Sequence, residues 1–116
     1  MTSKVTVNMR TCSKTHSITV SMRDDGYTMD VNIVSDCAHV QEYAKRLTEI
    51  TMDDTFDICT SKINCPEVRH GLSAPCLCPI GVMDAAWMEC GMLSKNLCRR
   101  MKCNDVVLDP DAECNQ

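Results

Sequence analysis

Residues 17–34 read Ser-Ile-Thr-Val-Ser-Met-Arg-Asp-Asp-Gly-Tyr-Thr-Met-Asp-Val-Asn-Ile-Val. Ile18, Val20 and Met22 alternate with Ser17, Thr19, Ser21 and Arg23. After Asp24-Asp25-Gly26 the alternation resumes, with Tyr27, Met29, Val31 and Ile33 on one side. A period of two places successive side chains on opposite faces of a strand, and an Asp-Gly turn between two such runs marks a hairpin. Upstream, Val5, Val7 and Met9 alternate with Lys4, Thr6, Asn8 and Arg10 in the same way. The stretch therefore predicts a three-stranded antiparallel meander over residues 4–10, 17–23 and 27–34, apolar on one face and wet on the other.

Beyond it the period changes. Val40, Tyr43, Ala44 and Leu47 fall at i, i+3, i+4 and i+7, which predicts an amphipathic helix over residues 38–50, with Ser35 and Asp36 as capping residues. Met52 to Phe56 suggests a short helical turn. Pro79 suits the first position of a second helix carrying Ile80, Val82, Met83, Ala86, Trp87 and Leu93. Residues 59–78 read as an irregular loop, and Val106-Val107-Leu108 as a short strand before Pro110. The expected fold is α+β: the meander, helices packed on one face, and a cysteine-rich loop and tail. Residues 1–116 form one domain in this reading, with no internal repeat.

The bulk composition narrows function. Aromatic residues are only 3% of the 116, so the core is thin and an internal staple is expected. A net charge of -4 argues against a nucleic-acid binder, whose affinity comes from clustered Lys and Arg. No apolar run reaches the roughly 18 residues needed to span a bilayer. The start, Met1-Thr2-Ser3-Lys4-Val5, lacks the apolar core of an export signal, which points to a reducing cytoplasm. There, the ten cysteines are expected to be metal ligands or redox groups with few disulfides.

The meander brings particular cysteines together. The ends of its first and third strands lie at the same end of the sheet, so Cys12 and Cys37 meet there. Those strands stand roughly 10 Å apart, a gap that suits a multi-iron cluster better than a single zinc, whose Zn–S bonds are about 2.3 Å. Cys76-Leu77-Cys78-Pro79 supplies two further thiols, with Cys78 beside a helix N-terminus whose dipole favours a thiolate. Cys followed by Pro also occurs in ferredoxin-type cluster sequences. Cys12, Cys37, Cys76 and Cys78 are the expected ligands, and a [4Fe-4S] iron–sulfur cluster the expected cofactor, with zinc as the alternative. Cys59, Cys65, Cys90, Cys98 and Cys103 offer a possible second site, though Cys90 beside Trp87 also reads as a small core residue.

Cys12 after a first strand, Ser35-Asp36-Cys37 closing a third, and Cys78-Pro79-Ile80 opening a helix resemble an uncharacterised small cysteine-containing domain family of anaerobic archaea and clostridia. The likeness runs over about residues 3–95 and includes the Tyr43-Ala44…Leu47 helix. It implies no established activity, and its anaerobic setting favours iron–sulfur chemistry. Cys76 and the extra cysteines depart from its pattern, which leaves the fourth ligand open.

Other features have plainer readings. Met9, Met22, Met29 and Met83 occupy apolar positions and read as core filler rather than copper ligands. His16, His39 and His70 are isolated; His39, two residues after Cys37, is a minor ligand candidate. Cys98-Arg99-Arg100-Met101-Lys102-Cys103 reads as a solvated helix end. No Ser/His/Asp set, P-loop or dinucleotide fingerprint is present, so no catalytic residue is named and the question of an enzyme stays open. The leading expectation is a cluster-binding protein for electron transfer or cluster carriage, working with a larger protein partner or as a homo-oligomer. A zinc-stabilised interaction module and a thiol redox or sulfur-handling enzyme are the rivals.

Overall fold

A computed structural model describes residues 2–112. Three strands follow one another, β1 (Thr2–Met9), β2 (Lys14–Met22) and β3 (Thr28–Ser35), each antiparallel to the last. The helix α1 (Ala38–Arg46) leads to a fourth strand, β4 (Glu49–Thr51), which pairs with Thr28–Asp30. The sheet order is β1-β2-β3-β4. The meander thus has four strands, not three. Residues 49 and 50, read from the sequence as helix, belong instead to the last strand, because α1 stops at Arg46 and Leu47 leaves helical geometry. Ile50 is then buried in register with Met29.

The alternation sorts the faces as expected. Val7, Ile18, Val20, Met29, Val31 and Ile33 are buried on one side, while Lys4, Thr6, Asn8, Asp30 and Asn32 stay exposed on the other. Tyr27 is a correction: it precedes β3, is half-exposed, and donates its phenol to Asp53 Oδ2 at 2.6 Å. On the apolar face α1 packs against β3, and a long helix, α3 (Cys78–Glu89), packs across β1 and β2. Gly81 makes that approach possible. A Cβ there would lie 2.5 Å from Val7 Cγ2 and 2.8 Å from Ile18 Cδ1. Tyr43, fully buried on α1, donates to the Ile63 carbonyl at 2.7 Å and pins the connecting segment over the core.

The connection from β4 to α3 contains 3₁₀ turns at Met52–Thr55 and Lys62–Asn64 and a four-residue helix, α2 (Pro66–Arg69). After α3, the helix α4 (Lys95–Met101) is capped by Ser94, whose Oγ accepts the Leu97 N–H at 3.3 Å. Residues 102–112 run on without helix or strand, so the strand read at Val106–Leu108 does not form. No strand of the sheet pairs with them.

Candidate functional site

The site is built from three places where the chain turns at one end of the sheet. Cys12 lies in the connection between β1 and β2, where Ser13 takes a φ of 58°. Its thiol is exposed and donates to the Met9 carbonyl at 3.7 Å. Cys37 is the N-cap of α1. Its own N–H donates to Ser35 Oγ at 2.9 Å, and its carbonyl accepts the Gln41 N–H at 2.9 Å, so the thiol leaves from a fixed backbone. Cys76 closes a turn through its N–H to the Ser73 carbonyl at 3.1 Å. Cys78 opens α3, with Pro79 behind it as the second helical residue.

These turns enclose a cavity of about 480 Å³, lined by the three thiols Cys12, Cys37 and Cys76 and walled by Met9, Val40 and Leu72. Cys78 does not line it and lies in the core behind. Burial, followed by the nearby Cys76 and Cys37 thiols, pushes the Cys78 thiol up to about 12. The helix dipole expected to favour a thiolate at this position is outweighed by loss of solvent. Among the described residues, no three His, Cys, Asp or Glu side chains close around a single point as one metal ion requires. The thiols border a space instead. Thiols are soft donors, so these side chains suit a thiophilic metal better than a hard cation.

Lys14 went unread in the sequence, and His16, read there as isolated, is bonded to Ser35 and lines the cavity. His16 extends the inward alternation of Ile18 and Val20, a signal lost when the strand is begun at Ser17. It is buried, and its Nδ1 is hydrogen-bonded to Ser35 Oγ at 2.7 Å. Burial lowers its pKa, against the opposing pull of Asp36. Lys14, at the start of β2, adds a positive charge to the same wall. His39 lines the cavity as well, beside Gly71.

The remaining thiols each have surroundings of their own. Cys65 donates to Glu67 Oε2 at 2.7 Å, and Cys90 to the Ala86 carbonyl at 2.9 Å. Cys103 donates to Asp105 Oδ1 at 3.6 Å; Cys59 is exposed between two turns, and Cys98 lies half-buried on α4. All nine described cysteines are free, and Cys114 lies outside the described residues.

Among the described residues no helix is long and apolar enough to cross a membrane. No curated protein and no solved structure matches the chain. A family model does, over residues 3–101, a span that takes in all of the sheet but Thr2, α1 to α4 and all four thiols of the proposed site. The chain belongs to the family of unknown function DUF6951.

Proposed function

We propose that this chain is a small iron–sulfur protein that transfers electrons or carries a cluster to a larger partner in a reducing compartment. Cys12, Cys37, Cys76 and Cys78 would hold the centre. The observation that supports the reading is the cavity itself, which cysteines from three separate turns line, with buried Cys78 close to Cys76 and Cys37. A bound [4Fe-4S] centre would supply one-electron exchange. The chain's part is to fix the ligands and exclude water. Ser35 holds the Cys37 backbone, the Ser73 turn holds Cys76, and Met9, Val40 and Leu72 lower the local dielectric. Cys12 is the exposed thiol of the four and Cys78 the buried one, so a partner would reach the centre from the Cys12 side.

The test is purification under strict anaerobiosis, followed by iron, acid-labile sulfide and zinc analysis alongside the visible spectrum. Iron and sulfide in equal amounts with a broad visible charge-transfer band support the reading. A colourless protein holding stoichiometric zinc assigns the thiols to a structural ion. A colourless, metal-free protein with one hyper-reactive thiol turns the site into one for thiol chemistry.

A further inference from the structure

Away from the thiols, two features of the chain are unsatisfied, and they complement one another. The first is β1. It is the outermost strand, and among the described residues no backbone hydrogen bond joins Thr2–Met9 to anything but β2. Eight residues of open edge are a template for another strand. The second is the segment after α4. Every residue from 102 to 112 is exposed, including Val106, Val107 and Leu108 at 69%, 85% and 67%. Three consecutive apolar residues of high β-propensity in water are costly unless something covers them.

Charge matches the two. Residues 1–23, which contain β1 and β2, hold no acidic residue; Arg23 pairs with Asp30 and Glu49 on the far strands, which leaves Lys4, Arg10 and Lys14 as the cations of this region. From residue 103 onward the sequence holds Asp105, Asp109, Asp111 and Glu113 and no basic one. Asp105 and Asp109 bracket the apolar triplet, and Pro110, lacking an N–H, would end a ladder just beyond it. The single chain contains both halves, yet they stay apart in it and both remain open.

We infer that residues 104–109 of one chain add as a strand to the β1 edge of a second copy. A reciprocal exchange gives a twofold dimer in which each protomer both donates and accepts, extending each sheet by one strand. The inference does not depend on the metal centre, since none of the four thiols lies in either element.

The experiment is light scattering after size exclusion in reducing buffer over a range of protein and salt concentrations, with hydrogen exchange on the β1 amides. The full chain is expected at twice its monomer mass, weakening with salt, with β1 amides protected in the dimer. Val106→Pro with Val107→Pro removes a ladder donor whichever register the strand takes, from an exposed segment that supports no core residue. It should give a folded monomer whose melting temperature no longer depends on protein concentration. Asp105→Lys with Asp109→Lys should also dissociate the dimer, and adding Lys4→Glu with Arg10→Glu should restore it. A full chain that stays monomeric overturns the proposal. So does a monomer whose β1 amides are protected, which would mean that the segment docks on its own chain. A dimer indifferent to the double proline variant also overturns it, because another face then holds the copies together.

Discussion

His16 Nδ1 and Ser35 Oγ sit 2.7 Å apart across neighbouring strands, and the same Ser35 oxygen accepts the Cys37 N–H at 2.9 Å. One hydroxyl therefore ties a buried imidazole in the sheet to the backbone of a proposed ligand. The contact joins core to site, and the burial of the imidazole makes stability respond to pH. Burial lowers the His16 pKa from its ordinary 6.5, so the unfolded chain takes up a proton where the folded chain does not. The stabilising effect is complete above 6.5 and is lost as pH falls from there through the lower folded pKa. Urea midpoints of the metal-free protein should drop between neutral pH and pH about 5, and His16→Gln should flatten that slope. An identical slope in the variant would assign it to other groups.

Gly81 gives a test whose sign discriminates. In an open helix, Gly→Ala stabilises by about 1 kcal/mol. Here the added methyl would meet Val7 and Ile18 in the sheet, so Gly81→Ala should instead destabilise by about 1–3 kcal/mol. Denaturant titration decides; a gain in stability would mean that α3 stands farther from the sheet.

Glu89 is the buried charge of the fold. Its Oε1 accepts from Ser3 Oγ and its Oε2 from the Met22 N–H, each at 2.8 Å, with Lys95 Nζ 3.8 Å from Oε1. These bonds fasten the end of α3 to two strands. Glu89→Ala leaves the Met22 N–H and the Ser3 hydroxyl without their acceptor and should cost about 2–4 kcal/mol. Ser3→Ala should cost about 1 kcal/mol, and the double variant should lose less than the sum of the two. Strict additivity would contradict the contact.

Metal removal should be costly because the aromatic-poor core has little margin. A ligand at about a hundred times its Kd stabilises by about 2.7 kcal/mol, and a domain of this size moves by roughly 4–8 °C per kcal/mol. Strong chelation under reducing conditions should lower the melting temperature by roughly 10 °C or more. No change would separate the thiols from any role in stability.

Much of the fold was legible because its signals are local. Alternation in residues 4–10, 17–23 and 27–34 places the first three strands to within a few residues, and the 3.6-residue period at Val40, Tyr43, Ala44 and Leu47 finds α1. The fourth strand was not legible. Glu49-Ile50-Thr51 is too short to display a period, and only pairing with Thr28–Asp30 defines it. Val106–Leu108 shows the converse, since residues with strand propensity form no strand when no strand of the sheet pairs with them. At the site, the meander topology brings Cys12 and Cys37 to one end from sequence alone. The burial of Cys78 was hidden, because it depends on how α3 meets the core and not on the Cys-Leu-Cys-Pro spacing. His16 was read as isolated because the strand was begun at Ser17 and not at Lys14, which left its inward position unseen.

The central claim, that these thiols hold an iron–sulfur centre, is tested most directly by iron and acid-labile sulfide per chain in anaerobically purified wild type and cysteine variants. Wild type should contain both in equal amounts. Cys37→Ser and Cys76→Ser should lose most of each, while Cys59→Ser and Cys98→Ser should match wild type. Wild type free of iron and sulfide, or iron content untouched by Cys37→Ser and Cys76→Ser, would contradict the account.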